Sequence, residues 1–260
     1  MQPLAAVSGM LTLCFLALAW QSVAAGRQPT TQVGDISVSV VDPRPLATAV
    51  EQLEKRFGWV ITYEDPFYLH TADIDDVTLA VRRDGNFSQR VLVPRGGLFN
   101  FQYSVPQAGN VLDASAVLSK LLEDYQLTGH PGVFRIGRTG DVFHVVPSQT
   151  RNGAGQLESV VPFLETDISL PAGDRTSLRM VEEITSAVSN PDRGRVVVGT
   201  VPINLMMQVR VQGGARNEHA RTVLLRTFNA TGRTLSWALF CSPGLTPECA
   251  LNIHVVEKHI

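Results

Sequence analysis

Pro45-Leu46-Ala47-Thr48-Ala49-Val50-Glu51-Gln52-Leu53-Glu54-Lys55-Arg56-Phe57-Gly58-Trp59-Val60-Ile61-Thr62-Tyr63 is the stretch whose pattern decides the fold. Leu46, Ala49, Val50, Leu53 and Phe57 recur at helical spacing and make one apolar stripe. Gly58 ends that helix, and Trp59 to Tyr63 reads as a strand. Just upstream, Ile36, Val38 and Val40 alternate as in a strand, and Asp42-Pro43-Arg44-Pro45 stops it and opens the helix. Strand, helix, strand is the local unit.

Further along, Val77, Leu79 and Val81 alternate, Asp84-Gly85 supplies a turn, and Val91 and Val93 continue beyond it. Phe99, Phe101 and Tyr103 share one face of a strand. Asp113 is placed to cap a second helix with the stripe Val117, Leu118, Leu121, Leu122 and Tyr125, closed by Thr128-Gly129. A hairpin around Thr139-Gly140-Asp141 follows. The same order then begins again. Val160 to Ile168 reads as a strand and Leu178, Val181, Ile184 and Val188 as a helix. Arg195 to Val201 and Ile203 to Val211 read as strands. Asn217 is placed to cap a last helix ending before Gly232, and a hairpin closes the chain. The fold class expected is α+β, as two consecutive modules, each a mostly antiparallel sheet with helices on one face. The first spans residues 26–148, a linker 149–158, and the second 159–260.

Residues 1–25 contain no Asp, Glu, Lys or Arg, and an apolar run from Met10 to Trp20 precedes Ser22-Val23-Ala24-Ala25. That run is short for a membrane span but suits a secretory leader, cleaved near Ala24 or Ala25. Export to a periplasmic or extracellular space is expected, with no membrane span after the leader is removed. Of three cysteines, Cys14 leaves with the leader. Cys241 and Cys249 flank a Pro/Gly-rich turn between strand-like runs, and they are expected to form a structural disulfide.

The 260 residues are 44% hydrophobic and 18% charged, with a formal net charge of −2. This composition is that of a globular chain. No basic stripe of the kind nucleic acid requires is present, so nucleic acid is not an expected partner.

Pro45-Leu46, Val50, Leu53, Phe57-Gly58, Val60-Ile61 and Tyr63 resemble the opening helix and strand of the short N-terminal domain of secretins and TonB-dependent transducers. Ile203 to Val211, then Glu218, Ala220, Val223-Leu224, Phe228 and Gly232, look like that family's strand, helix and glycine-ended turn. Asp113, Ala114, Val117-Leu118, Leu121-Leu122 and Thr128-Gly129 repeat the helix and turn. The resemblance implies a small periplasmic module that docks other proteins without catalysis. Family members carry it ahead of an outer-membrane barrel or a secretin ring, and the similarity here is to the docking part alone.

The six histidines form no His-Glu-x-x-His run and no zinc-spaced Cys/His cluster. Serine-elbow, Ser-x-x-Lys and phosphate-cradling glycine motifs are missing. His144 and His254 read as sheet-face or core histidines. The acidic stretch Glu64-Asp65, Asp73, Asp75 and Asp76 reads as a solvated turn, since it lacks the ladder of a calcium loop. Met206-Met207 reads as core filler. Asn86-Phe87-Ser88 and Asn229-Ala230-Thr231 match the glycosylation sequon. No catalytic, cofactor-binding or metal-binding residue is therefore assigned, and no cofactor is expected. The function expected is an exported, non-enzymatic protein that docks an envelope protein partner. The alternatives are a secreted hydrolase assembled from distant residues, for example His144 with Asp141 and a serine, and a small-ligand binder using a cleft between the halves.

Overall fold

The computed structural model describes residues 35–82, 90–105, 112–191, 193–244 and 247–257. The leader, the Asp84-Gly85 turn and the Asn86-Phe87-Ser88 sequon lie outside them. β1 (Ile36–Asp42), α1 (Pro45–Phe57) and β2 (Val60–Glu64) stand where the opening pattern places them. Pro45 occupies the first turn of α1, where a missing N–H costs nothing. Gly58, at φ 65, ends the helix by donating to the Glu54 carbonyl at 2.8 Å.

Next come β3 (Ile74–Asp76), α2 (Thr78–Val81), β4 (Leu92–Pro94) and β5 (Gly97–Tyr103). α3 (Ala114–Leu127), β6 (Val133–Thr139) and β7 (Val142–Arg151) complete the first half. Asp113 does cap α3, accepting from the Ser115 N–H at 2.9 Å. The second half holds β8 (Leu157–Ser159), β9 (Asp167–Thr176), α4 (Ser177–Val188), β10 (Arg195–Val198) and α5 (Ile203–Gln208). It ends with β11 (Arg210–His219), α6 (Ala220–Asn229), β12 (Leu235–Cys241) and β13 (Glu248–Val255). Helices and mostly antiparallel sheets make the fold α+β.

Four local expectations are corrected. Val77 to Val81 is a helical turn, because the Asp76 carboxylate accepts from the Thr78 N–H at 3.0 Å and turns the chain. Val160 to Thr166 contains a short 3-10 turn at Phe163–Glu165, led by Pro162, and the strand begins only at Asp167. Ile203 to Gln208 is helical, since Pro202 opens it and Leu, Met and Gln are good helix formers. Met206 is fully buried there, whereas Met207 is exposed. Asn217 lies within β11 at φ 50, and His219 stands at the helix start instead. Residues 149–158 are also no free linker. β7 runs on to Arg151 and the chain folds back as β8, with Gln149 opposite Ser159 and Arg151 opposite Leu157. Asn152 holds that turn, its side-chain oxygen accepting from the Ala154 and Gln156 N–H groups, each at 3.0 Å.

The two halves share one topology. β1 pairs antiparallel with β5, as β9 does with β11; β2 pairs parallel with β7, as β10 does with β13; β6 and β7 are antiparallel, as are β12 and β13. Core positions follow in step. Leu46, Ala49, Leu53, Ile61 and Tyr63 correspond to Val181, Ile184, Val188, Val196 and Val198. Leu121, Tyr125, Phe134 and Ile136 correspond to Leu224, Phe228, Trp237 and Leu239. Even the helix exits agree: Thr128 Oγ1 donates to the Tyr125 carbonyl (2.6 Å) and Thr231 Oγ1 to that of Phe228 (2.7 Å), each before a glycine of positive φ.

Each repeat keeps a core of its own, yet the described residues belong to one compact unit, 34–260. The reason is a seven-stranded sheet in the order β10-β13-β12-β2-β7-β6, with β8 beside β7. At its middle, β12 of the second repeat lies parallel to β2 of the first, with Ala238 opposite Tyr63 and Leu239 opposite Glu64. Trp237, Leu239 and Cys241 face the second core, whereas Ala238 and Phe240 pack against the first.

Cys241 and Cys249 are opposite one another on β12 and β13 and are joined as a disulfide. Closing so small a loop removes about 2–3 kcal/mol of unfolded-chain entropy. Cys241→Ser is therefore expected to lower the urea-unfolding free energy by about that amount. An unchanged midpoint would contradict it.

Candidate functional site

Glu64-Asp65 ends β2 at the seam between the repeats, and both side chains are buried, 1% and 4% exposed. The solvated turn expected for this stretch is thus corrected at its most important residues. Glu64 is ion-paired with Arg221 of α6 and accepts from the Leu164 N–H at 3.4 Å. Arg221 also meets Glu165 at 3.1 Å, and Arg135 of β6 pairs with Glu165 in turn. Asp65 takes four donors: Arg44 Nε at 2.6 Å, the hydroxyls of Tyr63 (3.0 Å) and Tyr68 (2.9 Å), and the Cys241 N–H at 2.9 Å. Arg44 also donates to the Cys241 carbonyl at 2.8 Å and lies over the Phe240 ring. Asp73, likewise buried, pairs with Arg151 of β7. Asp75 and Asp76 remain at the surface with Arg95 and Arg90.

Burial pushes the Glu64 and Asp65 carboxyls above the ordinary carboxylate range, and Arg221 and Arg44 pull them back. Burial, reinforced by Asp65, keeps the Tyr63 and Tyr68 hydroxyls protonated as donors. Arg221 stands in α6 where α3 carries the core residue Leu118. The repeat alignment is the signal that reveals it, as a charge in a core-facing helical slot. The stripe of α6 alone conceals it.

His144 is buried beside this network, with Nδ1 at 2.8 Å from Thr62 Oγ1 and Nε2 at 3.1 Å from Thr139 Oγ1. Its ring lies 5.8 Å from that of Trp237. Asp141 is not brought to it: that carboxylate is fully exposed, 3.9 Å from Arg138. His254, by contrast, pairs with the buried Glu54 of α1. Among the described residues no group of three or more His, Cys, Asp or Glu side chains is arranged to hold a metal. No helix among them is long and apolar enough to cross a membrane.

Two of the surface grooves bear on the sheet. A groove of about 400 Å³ lies along the seam, lined by Trp59, Val60, Phe143, Phe228, Arg233 and Leu235. A second, of about 450 Å³, runs between α4 and the outer edge of β10, lined by Glu182, Thr185, Ser186, Ser189 and residues 195–198. β6 and β10 are the two end strands of the seven-stranded sheet. The arrangement joins strands, since Glu64 and Asp65 are bonded to Arg221 and to the Cys241 backbone across the seam, while Arg221 Nε and Trp237 Nε1 are buried there without a hydrogen-bond partner.

Burial, then the Arg221 charge, lowers the His144 pKa to about 3, so the ring is neutral in the folded protein. The unfolded chain takes up the proton first, near pH 6.5. Stability supplied around this ring therefore falls as pH drops below 6.5 and stops falling near 3. Relative to the native protein, the stability deficit of His144→Gln is expected to shrink by about 2 kcal/mol between pH 7 and pH 5. Parallel pH profiles in urea titrations would contradict this.

No protein-family model, no curated protein and no solved structure matches the chain.

Proposed function

We propose that the chain is an exported, non-enzymatic docking module of the cell envelope that receives a protein partner on a free edge of its seven-stranded sheet. One observation carries this: the sheet already grows by lateral strand addition, since β12 joins β2 through backbone pairing between two otherwise separate cores. Strand addition gives affinity through main-chain hydrogen bonds and specificity through alternate side chains. β6 ends the sheet with seven residues of strand and the exposed cations Arg135 and Arg138. The charge-free leader and the Cys241–Cys249 disulfide favour an oxidising compartment outside the cytoplasm. The likeness to the secretin and TonB-transducer domain points the same way.

The test uses protein secreted with its own leader, whose first residue should lie between Ala25 and Arg27. This product, tethered and exposed to envelope extract, should capture a partner. Arg135→Glu with Arg138→Glu should reduce capture at least tenfold, whereas His144→Gln should leave it unchanged. Capture indifferent to β6 but lost with His144→Gln would overturn the reading.

A further inference from the structure

The seam between the repeats is a template for a second joint that the chain leaves open at both ends. By position in the repeat, β12 corresponds to β6 and β2 corresponds to β10. The sheet therefore displays at one end the strand type that donates at the seam, and at the other the strand type that receives. We propose that a second copy of this chain docks its β10 alongside β6, parallel, so that copies add head to tail. Assembly rests on the docking reading above and names its partner.

Strand directions agree with this. β10 runs with β13, β13 against β12, β12 with β2, β2 with β7, and β7 against β6. β6 and β10 consequently point the same way, and a copy displaced along the sheet meets β6 in the parallel sense seen at the seam. The receiving edges share one device at their start. On β2, the Ile61 N–H is covered by Glu54 of the preceding helix at 3.0 Å, leaving Tyr63 onward for β12. On β10, the Val196 N–H is covered by Ser189 at 2.9 Å, seven residues back as in the first repeat, leaving Val198. At the seam the Leu239 carbonyl accepts from the Asp65 N–H at 2.9 Å. The matching position on β6 is Ile136, which places it opposite Gly199 of the next copy, with Arg135 opposite Val198. The Thr200 N–H, which stands where that of Asp65 does, already donates to Asn252 Oδ1 at 2.9 Å, so the Val198 N–H is the donor that β10 offers.

The groove of about 450 Å³ beside β10 occupies the place that β12 fills beside β2. Ala238, which meets the first core at the seam, is replaced on β6 by Arg135. Docking therefore exchanges the Arg135–Glu165 pair for a contact with Glu182, which lines the groove together with Arg195 and is paired with Arg179 in the free chain. Four residues of β10 and the cations of β6 discourage indiscriminate edge pairing. Donor and acceptor patches differ, so the contact is heterologous. With six strands per copy at about 4.8 Å each, copies advance by about 29 Å and rotate with the sheet twist, giving an open filament.

Two variants that each add one free cysteine beside the Cys241–Cys249 disulfide, Arg135→Cys and Val198→Cys, test the register. Mixed under mild oxidation they should give a disulfide-linked dimer that neither gives alone. Sedimentation velocity over a rising concentration series should show the native chain growing beyond a dimer. Val198→Pro removes an outward N–H from an edge strand, where proline is tolerated, and should leave a monomer with unchanged far-ultraviolet circular dichroism. A native chain monomeric at all concentrations, Arg135→Cys linking to itself, or growth that survives Val198→Pro would overturn the assembly. Should the native chain stay monomeric while partner capture still depends on Arg135 and Arg138, the assembly fails and the docking reading stands.

Discussion

Two adjacent carboxylates, Glu64 and Asp65, end β2 inside the protein, and burial alone would strip each of its charge. Each is answered by an arginine, and each of these arginines bonds across the seam. Arg221 reaches Glu64 from α6 of the second repeat. Arg44 holds Asp65 and the Cys241 carbonyl together, while the Cys241 N–H donates to Asp65. Ion pairs of this kind add little net stability against an apolar replacement, but breaking one leaves an uncompensated buried charge and costs about 3–5 kcal/mol. Their effect is on specificity: they admit one register of β12 on β2 and penalise slippage.

The remaining architecture follows from that fixed seam. Because β12 runs parallel to β2, the second repeat is turned over relative to the first, and the two cores lie against opposite faces of the common sheet. Residues alternate accordingly along β12, with Trp237 and Leu239 on one face and Ala238 and Phe240 on the other. The disulfide sits at the end of the same strand, tying β12 to β13 where Asp65 grips the Cys241 backbone. In the docking proposal, the ends of the sheet, which lack such a lock, are where the partner adds.

Much of the fold was legible where periodicity is local. The stripe from Leu46 to Phe57, the Asp113 cap, the alternation Phe99, Phe101, Tyr103 and the cysteine hairpin each depend on neighbours in sequence. Legibility failed where one carboxylate or proline outweighs the pattern, as Asp76 does at Thr78 and Pro202 at Ile203. The site was hidden for a different reason. Glu64 and Asp65 look like a solvated turn because their partners lie far along the chain, at Arg221 and Cys241. A charge in the core-facing slot of α6 is visible only once Leu118 and Arg221 are recognised as equivalent positions. The open edges were equally hidden, since strand order is a property of the whole sheet.

Hydrogen exchange at the seam tests most directly whether this joint holds the repeats as one unit. The Asp65 amide, bonded to the Leu239 carbonyl, and the Cys241 amide, bonded to Asp65, are the reporters. If the seam is fixed as described, both should exchange only through global unfolding, as slowly as the Leu121 and Leu224 amides inside the two cores. Exchange at the seam many times faster than in both cores would show repeats that open independently, and would contradict the account.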